Sequence, residues 1–555
     1  MNRRLLTLAV AGVPLALVGA VYAPVSASAQ PADAAAQPVT AAAAAAGTPS
    51  AFTCSAFQLP APAGAVVESV TASTVPAGTY QVPGTPPLGG FPIPDVPAHC
   101  EVTVTLTHPG ANDHATVQVW LPQTGWNGRF QGVGGAAYAA GQIGNVATAV
   151  KQGYAAATTD AGVDTSGLNS SWALTANGKI NTAALTDFAS RSVHEMTLVG
   201  KEVVADVYTH AASYSYFNGC STGGRQGYME AQKYPTDYNG INADAPAINW
   251  NQFEVATLWP QVVMNQEHTY PTGCEFNAFN AAAVKACDKL DGVVDGLISD
   301  PNKCGFDPRR LVGTKVECDG KQVTITAADA DVVRKIWDGP RDTAGRRLWY
   351  GLPVGASFDY LAASTTDASG VTSGSPFIVP AQWVANFVQK QPGFSSANLT
   401  YKQFDQIFQK ARAEYDSVIG TSNPNLSAFR NAGGKLITWQ GDADQLIPTA
   451  GTVDYRQRVD ALMGGTKKVD DFYRVFLAPG VAHCGLQGGG VDDMAALTTW
   501  VEHGQAPSVL HATLPTATGQ TVARDVCRYP MVSHYTGHGD PTSASSFRCV
   551  PASRY

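Results

Sequence analysis

Tyr214-Ser215-Tyr216-Phe217-Asn218-Gly219-Cys220-Ser221-Thr222-Gly223-Gly224-Arg225 is the stretch on which the reading of this chain turns. An aromatic, strand-like run stops at Gly219, Ser221 follows, and Gly223 and Gly224 open a helical pattern through Gln226, Tyr228, Met229 and Ala231. Strand, Gly-x-Ser-x-Gly turn and helix together read as a nucleophile elbow. The turn must be tight enough to hold the serine hydroxyl clear of the backbone, which side chains at Gly219 and Gly223 would obstruct. With 55 glycines in the chain, chance also supplies the bare pattern. Partners for Ser221 therefore have to be found elsewhere.

Working outward, residues 102–106 and 116–120 alternate apolar with polar on either side of Pro109-Gly110-Ala111-Asn112, which predicts an antiparallel hairpin at a sheet edge. Arg129-Phe130-Gln131-Gly132-Val133-Gly134-Gly135 predicts a strand ending in a glycine loop. Backbone amides exposed there suit a developing negative oxygen, and a tight turn without chemistry fits equally. Residues 154–160 predict another strand, and 193–212 a helix leading to the elbow strand. The strand pattern returns at 241–247, at 434–444 and at 471–483, and a final amphipathic helix covers 492–503. Strands alternating with helices predict an α/β fold with a mainly parallel sheet covered on both faces. The interval from 249 to about 430 lacks that alternation and reads as an insertion large enough to be a lid.

A serine nucleophile needs a base, and the base needs an acid to hold its tautomer, in chain order Ser, Asp, His for this arrangement. Asp444 follows a buried-looking strand and precedes Gln445-Leu446-Ile447-Pro448; His483 follows the next strand. Asp442 is the rival acid, disfavoured because Asp444 sits directly before an apolar turn. Cys220 precedes Ser221 and Cys484 follows His483. If the two cysteines are bonded, their α-carbons lie about 4.4–6.8 Å apart and serine and histidine become neighbours.

The start of the chain predicts export. Arg3 and Arg4 precede an apolar segment, and Ala27-Ser28-Ala29 offers small residues for cleavage, so 1–29 reads as a signal peptide. The alanine-rich stretch 30–50 reads as a disordered linker. Ten cysteines without any Cys-x-x-Cys pair predict five disulfides in an oxidising compartment. A net charge of −8 without a basic block disfavours a nucleic-acid partner, and nothing after the leader is long and apolar enough to span a membrane.

A second constellation is Cys287-Asp288-Lys289-Leu290-Asp291-Gly292-Val293-Val294-Asp295-Gly296-Leu297. Three carboxylates at steps of three and four, with carbonyls at Val293 and Leu297, offer hard oxygen ligands that suit calcium; a solvated acidic turn is the alternative. Such a metal would be structural.

Taken together, these motifs resemble the tannase and feruloyl esterase family. The similarity extends to Trp126-Asn127-Gly128-Arg129-Phe130, Pro479-Gly480-Val481-Ala482-His483-Cys484 and Trp500-Val501-Glu502-His503-Gly504, and covers most of the chain after the linker. It implies an α/β-hydrolase with a large inserted lid: 51–248 and 431–555 form the catalytic domain and 249–430 the lid. It also implies oxyanion donors at the Thr222 and Gly134 amides, and calcium on Asp288, Asp291, Val293, Asp295 and Leu297, with no organic cofactor. The disulfides it implies are Cys220–Cys484, Cys287–Cys304, Cys527–Cys549 and Cys54–Cys100, which leaves Cys274 to Cys318.

The implied activity is secreted serine esterase action on small aromatic esters derived from plant cell walls or polyesters, foremost hydroxycinnamates. Gallate and terephthalate esters are alternatives, as is a silent ligand-binding homologue. Trp383 and Phe387 are the lid aromatics expected to wall the substrate, although both also read as plain core. Between Arg347 and Lys390 there is no lysine, arginine or histidine to hold a terephthalate carboxylate.

Overall fold

The computed structural model describes residues 52–83, 90–318, 320–486, 488–516 and 521–552; the expected leader 1–29 and linker 30–50 lie outside them. Its centre is a sheet of nine strands: β1 (Val66–Val75), β2 (His99–Thr107), β3 (Ala115–Pro122), β4 (Arg129–Val133), β5 (Ala155–Thr159), β6 (Tyr214–Cys220), β7 (Gly240–Asp244), β8 (Lys435–Gly441) and β9 (Tyr473–Ala478). The spatial order is β1-β2-β3-β5-β4-β6-β7-β8-β9. From β5 onward neighbouring strands run parallel, while β1, β2 and β3 are joined antiparallel.

Side-chain periodicity explains the layers. Along β2, Val102, Val104 and Leu106 are fully buried on one face, and Val117, Val119 and Leu121 of β3 join them. That face is covered by α2 (Ser192–Tyr208) and α3 (Thr222–Lys233), which contribute Val199, Val203, Tyr228 and Met229. The other face carries α1 (Ile143–Lys151) and a C-terminal helix, Asp493–His503, whose Leu497 and Trp500 pack with Trp439 of β8. The expected sheet covered on both faces is therefore present.

Two features depart from expectation. The 99–122 hairpin is one strand in from the edge, because β1 pairs outside it, with Val75 opposite His99. No side chain of β1 is buried, so its Val-Ser-Thr sequence has no apolar run to mark it. The sheet region also does not end at the C-terminal helix. Val509–Pro515 and Thr521–Cys527 form an antiparallel pair, followed by the hairpin Met531–Tyr535 with Phe547–Pro551. Leu510, Ala512 and Leu514 are buried while His511 between them is exposed, the period-2 signal of a strand.

The segment between β7 and β8 holds α4 (Trp250–Ala256), α5 (Trp259–Glu267), α6 (Gly273–Cys287), α7 (Ala327–Asp338) and α8 (Tyr401–Ile419), with two short hairpins. Helices α6, α7 and α8 start at capping boxes, Thr272 with Glu275, Thr326 with Asp329 and Thr400 with Gln403, which satisfy amides that a helix start leaves open. Their apolar faces merge into one cluster that also takes in Tyr138 and Phe188 from the sheet half. The ten cysteines pair as Cys54–Cys100, Cys220–Cys484, Cys274–Cys318, Cys287–Cys304 and Cys527–Cys549. Among the described residues no helix is long and apolar enough to cross a membrane.

The C-terminal helix Asp493–His503, here α10 after α9 (Thr449–Met463), is fastened to the sheet by a carboxylate near each end, Asp493 at its start and Glu502 near its close. Glu502 accepts Arg129 Nε at 2.7 Å, Arg129 Nη2 at 2.8 Å and the Tyr216 hydroxyl at 2.7 Å. Burial raises its pKa, but the bonds from Arg129 and Tyr216 outweigh burial and hold it below the ordinary 4.5. A depressed folded-state pKa stabilises fully above the unfolded value and is lost as pH falls through the folded one. Glu502→Gln is expected to cost about 2–3 kcal/mol in urea unfolding at pH 7, with the deficit shrinking below about pH 4.5. An equal deficit at both pH values would contradict the linkage.

Candidate active site

At the end of β6 the chain turns so sharply that Ser221 adopts φ 64 and ψ −119. A non-glycine residue in that region carries about 1–3 kcal/mol of strain and persists only where its surroundings hold it. Here the Ser221 N–H donates to Asp244 O, and Ser221 O accepts from Arg225 and Ala247, all at 3.0 Å. Close backbone approach explains the glycines: a Cβ at Gly219 would lie 2.7 Å from the Gly223 backbone, and one at Gly224 would lie 2.2 Å from Asp244 O. Arg225, fully buried behind the elbow, donates to Ala189 O at 2.8 Å and Phe188 O at 3.0 Å, and burial lowers its pKa to about 9.

His483 follows β9 and Asp444 follows β8. His483 Nδ1 and Asp444 Oδ2 are 2.9 Å apart, and both side chains are buried. Asp444 Oδ1 accepts the Leu446 and Ile447 amides at 2.9 and 2.8 Å, and Oδ2 also accepts Gln440 Nε2 at 3.1 Å. The apolar turn after Asp444 thus supplies the donors that aim its carboxylate. With Nδ1 engaged, Nε2 is the ring nitrogen left for a reacting group. Asp442, the rival acid, lies instead beside hollows lined by Val354 and Thr449.

Ser221 and His483 line one cavity of about 40 Å³, and the α-carbons of Cys220 and Cys484 are 6.1 Å apart. No hydrogen bond joins Ser221 Oγ to His483 among the described residues; such bonds often tighten only when substrate binds. Roomier hollows, such as one of about 350 Å³ beside Tyr80 and Phe91, hold neither residue.

Three expected site features are placed differently. The Gly134 N–H donates to Asn218 O at 3.0 Å, extending the β4–β6 ladder, so it is committed within the sheet. The Gly135 N–H donates to Gln226 Oε1 at 2.9 Å. Ala137, at φ 48, is the loop residue that lines the cavity with Thr222, and Thr222 Oγ1 donates to Ala137 O at 2.7 Å. Trp383 and Phe387 do not line the cavity. Both are fully buried, stacked on each other with ring centroids 4.5 Å apart, and Trp383 meets Trp250 edge-on. Their apolar surface belongs to the core of the insertion.

The walls are instead Trp250, Phe253, Glu254 and Thr257 from α4 and its end, facing Phe377, Val379 and Pro380. Sequence reasoning passed over these residues. The available signal was their spacing, since positions 250, 253, 254 and 257 share one helical face directly after the elbow unit.

The acidic loop folds largely onto its own backbone. Asp288 accepts the amides of Asp295 at 3.0 Å and Gly296 at 2.9 Å. Asp291 accepts Val293 N at 3.2 Å and the Ser299 hydroxyl at 2.5 Å. Asp295 accepts Leu297 N at 3.1 Å and Arg524 Nη2 at 2.5 Å. Burial raises Asp295 to about 6 despite Arg524, with repulsion from Asp291 and Asp288 adding to the rise; Asp291 is also raised, chiefly by burial. Mutually repelling buried carboxylates favour positive charge beside them, and Arg524 supplies part of it already.

Comparison with known proteins agrees with this architecture. A family model described as "Tannase and feruloyl esterase" matches residues 100–550. A "Probable feruloyl esterase" of Arthroderma benhamiae is 49% identical over 463 residues, covering 81% of this chain and 85% of that protein. Tannin acyl hydrolase from Aspergillus niger superposes with a TM-score of 0.78 at 27% identity, over 90% of this chain and 93% of its own. Feruloyl esterase B from Aspergillus oryzae gives 0.73 at 28% identity, over 88% and 97%. The fold is that of an α/β-hydrolase, and the chain belongs to the tannase and feruloyl esterase family.

Proposed function

We propose that this protein is a secreted serine carboxylic-ester hydrolase acting on esters of aromatic acids, of the feruloyl esterase kind. The observation that carries the reading is the Cys220–Cys484 bond, which seats Ser221 and His483 on one cavity with Asp444 behind the histidine. Relatives named feruloyl esterase and tannase support the substrate class. No arginine or lysine lines the cavity among the described residues, which favours neutral or phenolic esters over a terephthalate monoester. The apolar leader and five disulfides support export.

In this mechanism Ser221 Oγ attacks the ester carbonyl while His483 Nε2 takes its proton. Asp444 holds the Nδ1 proton and stabilises the imidazolium that forms. The oxyanion lies against the Thr222 and Ala137 amides, the latter replacing Gly134, whose N–H is engaged. The imidazolium then protonates the departing alcohol. Water, deprotonated by His483, attacks the acyl-serine and releases the aromatic acid with Ser221 restored.

A cavity of about 40 Å³ is far below the roughly 300 Å³ a drug-sized ligand needs. Residues 249–430 therefore act as a lid whose 377–380 segment must withdraw from α4. Calcium, held by Asp288, Asp291, Asp295 and the carbonyls of Val293 and Leu297, would supply positive charge to the acidic loop and take no part in bond making.

Three outcomes test this account. Ser221→Ala should abolish hydrolysis of methyl ferulate and p-nitrophenyl acetate while leaving the melting temperature within a few degrees; retained turnover would sink the assignment. The Cys220→Ala/Cys484→Ala pair should lose about 2–4 kcal/mol of stability and about 100-fold in kcat, with KM moving less. An unchanged kcat would show that the bond does not position the triad. Chelation with EDTA should lower the melting temperature by several degrees, restored by added calcium, without reducing the initial rate in the cold. Identical melting with and without EDTA would remove calcium from the account.

A further inference from the structure

We propose that Glu254 reads the aromatic acid, hydrogen-bonding a phenolic hydroxyl on the ring of the ester being cleaved. This deepens the aromatic-esterase reading above and rests on it. Glu254 lies on α4 and lines the same cavity as Ser221 and His483. It is only 4% exposed, yet its carboxyl has no hydrogen-bond or ion-pair partner among the described residues. Among the buried acids of the sheet half, Asp444 is held by His483 and backbone amides, Asp493 by Asn242 and Trp439, and Glu195 by His108; Glu230 also lacks a hydrogen-bond partner, but it does not line the reaction cavity. Polar side chains buried this deeply normally have partners, so an unpartnered one in a reaction cavity marks a position a ligand fills.

The chemistry of the group defines the ligand. No lysine or arginine lines the cavity with it; the titratable groups of other elements near it are His483, which shares the cavity, and Tyr138, whose hydroxyl is engaged with Val379 O at 2.8 Å. Burial alone pushes the Glu254 carboxyl well above its ordinary range, which favours the neutral form. A neutral carboxyl offers one O–H donor and one carbonyl acceptor. A phenol likewise donates and accepts, so one ring hydroxyl can satisfy both. The rest of the wall, Trp250, Phe253, Phe377, Val379 and Pro380, supplies apolar surface for the ring. Thr257 Oγ1 is already engaged with Glu254 O at 3.0 Å and does not compete. A ring without a hydroxyl would close the lid over an unpaired carboxyl, the situation in which binding sites discriminate most strongly.

The test compares kcat/KM for methyl p-coumarate against methyl cinnamate, and for methyl 4-hydroxybenzoate against methyl benzoate, in the full-length enzyme and in Glu254→Leu and Glu254→Gln. The wild type should prefer the hydroxylated member of its better pair by at least about tenfold. Glu254→Leu should bring that ratio to within about threefold, and Glu254→Gln, which keeps a donor and an acceptor, should retain most of it. Glu254→Leu should also melt no lower than the wild type, because the carboxyl it removes has no partner to lose. A preference that survives Glu254→Leu, or falls equally in Glu254→Gln, overturns the proposal and leaves the esterase reading standing. Wild-type hydrolysis of p-nitrophenyl acetate without hydrolysis of any aromatic acid ester overturns both.

Discussion

One covalent bond, Cys220 to Cys484, spans a sequence separation of 264 residues and joins the end of β6 to the loop after β9. Everything between its ends, including the whole insertion, forms a closed loop. The bond lies next to the strained turn at Ser221 on one side and next to His483 on the other. Strain at the serine is balanced by three backbone hydrogen bonds, and the histidine is held through Nδ1 by a carboxylate that is itself held by two amides. Positions so far apart in sequence share a cavity because the parallel sheet delivers both loops to one edge, and the disulfide keeps them there. A bond that forms only under oxidising conditions also ties assembly of the site to an oxidising compartment.

The apolar packing explains why the insertion is more than an appendage. Its core is continuous with Tyr138 and Phe188 of the sheet half, and Arg225 of the elbow helix reaches into the same region through the carbonyls of Phe188 and Ala189. The elbow helix, the short helix Asp187–Arg191 and α4 are therefore packed on one another, with Arg225 and Phe188 both against Trp250. On the opposite wall Phe377, Val379 and Pro380 line the cavity. The volume around Ser221 is small, about 40 Å³, which makes each polar group that lines it consequential. Glu254 is the group on which that argument has most purchase.

Legibility from sequence followed the strength of the local constraint. The elbow, Asp444 and His483 were readable because strand-to-turn geometry imposes residue types at fixed spacing, and the cysteine neighbours tied the pieces together. The covered parallel sheet was readable from uninterrupted apolar strands. The edge strand β1 was not, because a strand with no buried side chain leaves no apolar pattern. The glycine loop after β4 was legible, but not that the Gly134 N–H is taken up by Asn218 O: which amide stays free depends on where the β4–β6 ladder ends, a tertiary fact. Trp383 and Phe387 read as either wall or core and lie in the core, since aromatic character does not distinguish a pocket wall from the core behind it. Trp250 and Glu254 sit on a short helix whose role is set by what packs opposite, which no single-chain pattern carries.

The central claim is that Ser221, activated through His483, is the nucleophile. The most direct measurement is peptide mass spectrometry of enzyme titrated with a fluorophosphonate, run alongside residual hydrolysis of methyl ferulate. The account predicts one label per chain on the peptide containing Ser221, with activity falling in proportion to labelling. Full inactivation with the label on another residue, or full labelling of Ser221 with hydrolysis intact, would contradict it.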